Sequence, residues 1–107
     1  MSFTYRKQIK VSTEDLLAAR AERKTCTIRL GTVNVAQPDL DLSDGRNSTR
    51  IRVTTVDHSK RFGDLGDREV KGEGFATRQE LKADLKRYYR TIEDEALITV
   101  TWFELVS

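Results

Sequence analysis

The sequence predicts a small α+β fold built around a curved sheet or partial barrel. Segments with strand periodicity outnumber those with helix periodicity, and they are too short and too clustered for a doubly wound parallel sheet. The chain has 107 residues, of which 37% are hydrophobic. That content suffices for one modest core but not for a second independent one, so we expect a single domain over residues 1–107.

The first segments read as a strand followed by a helix. Apolar and polar residues alternate over 2–10, which is typical of a half-buried strand. Ser12 follows as a candidate N-cap, and Glu14 and Asp15 would lie near the positive end of the helix that it opens. This helix is predicted to run from about residue 13 to residue 22. Its inward face would hold Leu16, Leu17 and Ala21.

Residues 25–30 form the next predicted strand, because they are rich in β-branched side chains and alternate in polarity. One face would carry Cys26, Ile28 and Leu30, and the other Thr25, Thr27 and Arg29. We interpret Cys26 as a small core residue rather than a nucleophile, since it lies on the apolar face.

A hairpin is predicted in the middle of the chain. A short extended piece around Val35 comes first, and two alternating segments follow at 39–43 and 48–57. Residues 43–47 between them are turn formers, with a glycine to take positive φ. The two segments are therefore expected to pair as antiparallel strands.

The C-terminal third reads as a loop, a helix and a strand. Residues 61–72 are rich in glycine and charge, and they are expected to form a short helix or a loop. A capping box at Thr77 opens an amphipathic helix of about 77–90. Residues 96–106 form the last predicted strand, with a bulge expected near Trp102. The inward face of the helix would hold Leu81, Leu85 and at least one of Tyr88 and Tyr89.

The charge content excludes two classes of protein. Charged residues make up 34% of the chain, but the net charge is only +2. A long disordered chain would be poorer in apolar residues, and a histone-like protein would be far more basic. The basic surplus lies in residues 1–30 and 61–90. It predicts a locally positive surface for phosphate-bearing partners, with a solvated mixed surface as the alternative.

Cysteine and histidine counts bound the chemistry. The single Cys26 forms no internal disulfide, and with His58 as the only histidine we expect no zinc site, no other metal and no cofactor. A lone histidine is interpreted as a surface or loop-capping residue. The N-terminus lacks the apolar segment of a signal peptide, and the uncharged run 96–103 is too short to span a bilayer. These features predict a cytoplasmic protein without membrane contact.

A candidate site begins where the first helix passes into the second predicted strand. Lys24, Thr27 and Arg29 supply a base, a hydroxyl and a cation, which are the groups that a nucleophilic site needs. A second element is Glu73, a carboxylate between two glycines whose backbone freedom could aim it into a cleft. The alternatives are a solvent-facing strand face for the first group and a flexible surface turn for Glu73.

These residues resemble a known family in their order and spacing. The matching motifs are Lys24-x-x-Thr27-x-Arg29, Ile51-x-Val53, Phe62-x-x-Leu65, Glu73-Gly74-Phe75 and the closing strand ITVTWFEL. Together they resemble the ASCH domain, a PUA-like family associated with RNA. The threonine in the first motif is similar to that of the small bacterial N(4)-acetylcytidine amidohydrolases. The resemblance implies a PUA-like fold, in which a curved mixed sheet forms a partial β-barrel flanked by two or three helices.

The resemblance also implies roles for individual residues. Thr27 matches the nucleophile, Lys24 the lysine that activates it, and Glu73 the catalytic glutamate. Arg29, Thr25 and Phe75 would bind the substrate. The implied reaction is removal of the acyl group from an N-acylated cytidine-type nucleoside.

One departure from the family motif is clear, because its leading glycine is replaced by Glu22. This carboxylate would either alter the turn or pair with Lys24. A non-catalytic RNA-binding module is the alternative reading, with an RNA-cleaving version as a third. Lys82, Lys86, Arg87 and Arg90 would give the last helix a basic side for such a role. Nucleoside or RNA is the expected partner, and the chain is expected to be a monomer or a weak dimer.

Overall fold

The computed structural model describes residues 2–106, apart from the side chain of Ser2. Seven strands and three helices follow in the order β-β-α-β-β-β-β-α-α-β. The strands are β1 (Ser2–Tyr5), β2 (Gln8–Lys10), β3 (Cys26–Leu30), β4 (Thr32–Val35), β5 (Asp39–Ser43), β6 (Ser48–Asp57) and β7 (Ile98–Leu105). The helices are α1 (Thr13–Arg20), α2 (Asp67–Gly72) and α3 (Arg78–Leu85), and a 3₁₀ turn covers Phe62–Asp64.

Five strands form a mixed sheet in the order β2-β5-β6-β7-β3, and this sheet curls into a half-barrel. Strand β2 runs parallel to β5, whereas the other neighbours are antiparallel. Strands β1 and β4 pair in parallel as a separate two-stranded sheet. The predicted α+β class with a partial barrel is therefore confirmed. None of the helices within 2–106 has the length and hydropathy needed to cross a bilayer.

The single strand predicted over residues 2–10 is wrong, because this segment forms two strands. Strand β1 pairs with β4, and after residues 6–7 the chain changes partner so that β2 pairs with β5. Tyr5 and Ile9 are both buried, so the apolar alternation continues across the break. Periodicity reports the buried face and not the pairing partner, which is why it did not reveal the break.

Helix α1 begins at the predicted cap and ends earlier than expected. The Ser12 hydroxyl accepts a hydrogen bond from the Asp15 backbone N–H at 3.1 Å. The expected inward face is partly wrong: Leu16 is buried, but Leu17 is 55% exposed and Ala21 lies beyond the helix, exposed. Ala19 takes the second buried position, because it lies three residues after Leu16 on the same side of the helix.

The central hairpin is confirmed, with β5 antiparallel to β6 and a tight turn between them. The carboxylate of Asp44 accepts backbone N–H bonds from Arg46 and Asn47 in that turn. The expected irregularity at Trp102 also exists. Its extra residue lies in β6, however, because the register of β6 and β7 shifts between Val53 and Thr55.

The last helix is shorter than the predicted 77–90. The Thr77 hydroxyl caps it as expected, accepting from the Glu80 N–H at 3.2 Å. The helix ends at Leu85, and turns follow. Tyr89 packs against the core, and its hydroxyl accepts a hydrogen bond from the Leu30 N–H at 3.2 Å, whereas Tyr88 is exposed.

Two hydrophobic clusters fill the fold. The first lies among strands β1, β2, β4, β5, β6 and β7 and helix α1, and the second lies between β3, β7 and helices α2 and α3. The first contains Tyr5, Ile9, Val11, Leu16, Ala19, Val33, Leu40, Leu42, Ile51 and Phe103. The second contains Cys26, Ile28, Phe62, Leu65, Val70, Leu81, Leu85, Ile98 and Val100. The expectation that Cys26 is a core residue is confirmed, and burial raises the pKa of its thiol to about 12.

His58, the only histidine, lies at the surface and caps a loop, as expected from the sequence. It is exposed at the end of β6, and its Nε2 lies 2.8 Å from the carbonyl oxygen of Val33. A ring N–H at that nitrogen donates to the carbonyl and ties the end of β6 to β4.

Candidate active site

A buried ion pair joins two elements that are far apart in the sequence. Lys24 lies just before β3 and is 2% exposed, and Glu73 follows α2 and is 5% exposed. The Lys24 Nζ donates a hydrogen bond to the Glu73 Oε1. The Glu73 Oε2 accepts from the Ile28 backbone N–H at 3.2 Å. Both carboxylate oxygens therefore accept hydrogen bonds from β3 or the residues before it.

The two glycines beside Glu73 are required for different reasons, one for its backbone conformation and the other for its lack of a side chain. Gly74 has φ +91°, the left-handed conformation that allows the chain to turn directly after the carboxylate. Gly72 is the last residue of α2, and a Cβ there would lie only 2.8 Å from the Cys26 Sγ and the Trp102 ring. The expectation of unusual backbone is thus confirmed at Gly74. At Gly72 a glycine is required because any side chain would collide with these two neighbours.

The end of α2 is also attached directly to the start of β3. The Thr25 N–H donates to the Gly72 carbonyl at 2.6 Å, and the Thr25 carbonyl accepts from the Phe103 N–H at 2.9 Å. These bonds fix Lys24 and Glu73 against each other, because each is adjacent to one of the bonded residues.

Thr27 is fully buried on β3, so its strand face is not the solvated one. It lies opposite Thr101 of β7, which is also buried. The Thr27 Oγ1 accepts a hydrogen bond from Arg29 at 2.7 Å. The same guanidinium donates to the carbonyls of Ile28 at 3.0 Å and Lys10 at 3.2 Å. Three acceptors therefore hold Arg29 over the threonine.

The environment of Lys24 makes its ammonium easier to deprotonate than that of a surface lysine. Burial is the largest influence and lowers the pKa of Lys24 from 10.5 to about 8. The negative charge of Asp15 acts in the opposite direction, as does that of Asp84 more weakly. A lysine with a pKa near 8 has a substantial neutral fraction at physiological pH and can accept a proton.

A pocket of about 420 Å³ lies beside this pair, between the start of α1, strand β3 and the end of α3. Its polar and charged lining is formed by Lys10, Ser12, Asp15, Arg29, Glu73 and Asp84, and its apolar and aromatic lining by Val11, Ile28, Leu85, Tyr88 and Tyr89. Two of the predicted site residues, Arg29 and Glu73, therefore reach the pocket. Lys24 and Thr27 lie behind them and contact them.

The remaining predicted residues lie outside the pocket lining. Thr25 is half-buried and contributes the backbone bonds described above, and Phe75 packs against the second hydrophobic cluster. Sequence reasoning did not single out Asp15 and Asp84 as pocket residues. Asp84 carries a usable signal, since it lies three residues after Leu81 and so falls on the buried side of α3.

Glu22 adopts the left-handed backbone conformation that glycine favours. It has φ +60°, and it is the one non-glycine residue with positive φ in the described part of the chain. Its side chain is exposed, and Lys24 pairs with Glu73 instead. The expected pairing of Glu22 with Lys24 is therefore absent among the described residues.

Comparisons with known proteins show the fold. No family model matches the sequence, and a search of curated proteins gives no significant match. Among solved structures, an ASCH domain from Lactobacillus crispatus JV V101 is 13% identical with a TM-score of 0.67, over 97% of this chain and 79% of that one. Protein EF3133 from Enterococcus faecalis V583, of the family DUF984, is 18% identical with a TM-score of 0.68, over 95% and 80%.

A third structure matches over nearly the full length of both chains. The hypothetical protein PH0355 is 14% identical with a TM-score of 0.66, and the match covers 99% of this chain and 100% of that one. At these identities the likeness concerns the path of the backbone rather than the site residues. The likeness shows that residues 2–106 have the fold of an ASCH domain, a curled half-barrel sheet with three helices.

Proposed function

We propose that this protein is an amidohydrolase that removes the acyl group from an N-acylated cytidine-type nucleoside. One arrangement carries the proposal: a buried lysine is held by a buried carboxylate, three residues before a buried threonine whose hydroxyl contacts a pocket-lining arginine. Burying a charged pair is costly, so such a pair beside a pocket favours a chemical role over a purely structural one.

In the first step, neutral Lys24 takes the proton of the Thr27 hydroxyl, and the oxygen attacks the carbonyl carbon of the acyl group. The new C–O bond forms as the carbonyl electrons move onto oxygen. Arg29 then stabilises this oxyanion. Because Thr27 has no exposed surface, the step requires the Arg29 guanidinium to move from the hydroxyl toward the substrate oxygen.

In the second step, the C–N bond breaks and the Lys24 ammonium gives its proton to the leaving amine. The acyl group remains as an ester on Thr27. Water then attacks this ester while Lys24 accepts a proton from the water. The C–O bond to Thr27 breaks as Lys24 returns that proton to the threonine oxygen, and the carboxylic acid leaves and ionises in the solvent. Glu73 acts here as a positioning residue, since both of its oxygens already accept hydrogen bonds.

The proposal is tested by incubating the purified protein with N(4)-acetylcytidine and measuring cytidine release by chromatography. We expect release that is lost in Lys24→Ala and Thr27→Ala. Circular dichroism of each variant checks that it is folded. No release by the folded wild-type protein at high concentration would contradict the proposal.

A non-catalytic RNA-binding role is the second candidate, and one surface favours it. Tyr88 is 57% exposed at the pocket, and Lys86 and Arg90 are exposed near it in the sequence. An exposed aromatic ring with nearby cations suits a stacked base and its phosphates. RNA binding that weakens steeply with salt, without nucleoside turnover, would favour this role.

A further inference from the structure

The pocket contains two carboxylates that the proposed reaction does not use. Asp15 comes from α1 and Asp84 from α3, and both line the cavity. The Asp84 side chain is 19% exposed, and its ion-pair partner Arg87, at 3.3 Å, is itself 63% exposed. Lys24, the base of the reaction, pairs with Glu73 instead.

These carboxylates favour a particular kind of ligand group. Burial raises the pKa of Asp84, and the negative charge of Asp15 adds to this effect, so both disfavour its ionised form. A hydrogen-bond donor on the ligand would compensate, because it stabilises the charged carboxylate. An ionised carboxylate accepts hydrogen bonds and donates none, so a ligand group that faces the pair must be a donor. A phosphate or carboxylate would instead be repelled by both side chains.

An N-acylated cytidine offers such donors mainly on its sugar. On the base, the carbonyl oxygen and the ring nitrogen are acceptors, and the one N–H belongs to the amide that reacts. That amide must lie near Lys24 and Thr27 for the reaction to occur. The sugar, by contrast, has several hydroxyl donors, and pairing of a ribose hydroxyl with an acidic side chain is a recurring arrangement in nucleotide-binding proteins.

We propose that Asp15 and Asp84 bind the sugar hydroxyls of the substrate and so make the pocket selective for ribonucleosides. This inference rests on the proposed amidohydrolase function. It assigns the reacting amide to the Lys24–Glu73 side of the pocket and the ribose to the side formed by α1 and α3. Leu85 and Val11 add apolar lining to the same pocket.

The test compares kcat/KM for N(4)-acetylcytidine, N(4)-acetyl-2′-deoxycytidine and the free base N(4)-acetylcytosine. We expect the ribonucleoside to exceed the deoxynucleoside by about tenfold or more, because a hydrogen bond to a charged group is lost. The free base should be poorer still. In Asp84→Ala the ribonucleoside value should fall toward that of the deoxynucleoside, so the ratio between them shrinks.

Asp94→Ala is the matched control, because Asp94 also pairs with a basic side chain but lies outside the pocket lining and is 71% exposed. It should leave the ratio unchanged. Equal kcat/KM values for the ribonucleoside and the deoxynucleoside would overturn this inference while leaving the amidohydrolase function intact. Absence of turnover of all three compounds would overturn the proposed function, and this inference with it.

Discussion

Lys24 illustrates how far a single residue could be interpreted from the sequence. Its spacing from Thr27 and Arg29 marked it as a candidate base, because the three residues are local and follow a strand pattern. Its burial and its carboxylate partner could not be derived in the same way, since Glu73 is 49 residues away in the chain. Only the resemblance connected the two residues before the structure did.

The lowered pKa of Lys24 predicts the direction of the pH dependence. The reaction requires the neutral amine, and the neutral fraction rises with pH until the pKa of about 8 is passed. We therefore expect kcat/KM for N(4)-acetylcytidine to rise about tenfold per pH unit below pH 8 and to level off above it. Measurement between about pH 6 and pH 10 checks this. A flat or falling profile would contradict the role of Lys24 as base.

At the scale of single elements, the sequence predicted most helix starts and the central hairpin, because caps and turns are local. It failed where tertiary packing decides. The first strand divides because its halves find different partners, and the last helix ends at Leu85 before the chain turns toward β7. The turn at Glu22 and the end of α2 at Gly72 allow direct tests of local backbone requirements.

Glu22→Gly should stabilise the protein. A non-glycine residue at φ +60° costs about 1–2 kcal/mol, and part of the gain is offset by the greater freedom of glycine in the unfolded chain. We expect the free energy of unfolding to rise by about 0.5–1 kcal/mol in denaturant titrations, with turnover retained. Glu22→Ala, which keeps the Cβ, should show no such gain. Lower stability or lost turnover in the glycine variant would contradict this account of the turn.

Gly72→Ala should destabilise the protein and lower turnover. The added methyl group would lie 2.8 Å from both the Cys26 Sγ and the Trp102 ring, so α2 must shift and carry Glu73 with it. We expect a loss of about 1–3 kcal/mol in the free energy of unfolding. Gly66→Ala at the other end of α2 is the control, because its nearest neighbouring atom is 3.9 Å away. Equal denaturation midpoints for the two variants would argue against this packing role.

At the scale of the whole molecule, the candidate site is assembled from several separate elements. Residues before and within β3 supply the lysine, threonine and arginine, the end of α2 supplies Glu73, and α1 and α3 supply the opposing carboxylates. The local part of this set was visible in the sequence. The pocket was not, because it exists only where α1, β3 and α3 meet.

The most direct test of the whole account is the turnover of N(4)-acetylcytidine by Thr27→Val compared with Thr101→Val. Both threonines are buried, and they lie opposite each other on neighbouring strands, so the two variants remove equivalent hydroxyls from the same sheet. If Thr27 is the nucleophile, Thr27→Val loses at least about a thousandfold in kcat/KM, whereas Thr101→Val keeps most of its activity. Full turnover by a folded Thr27→Val would contradict the central claim.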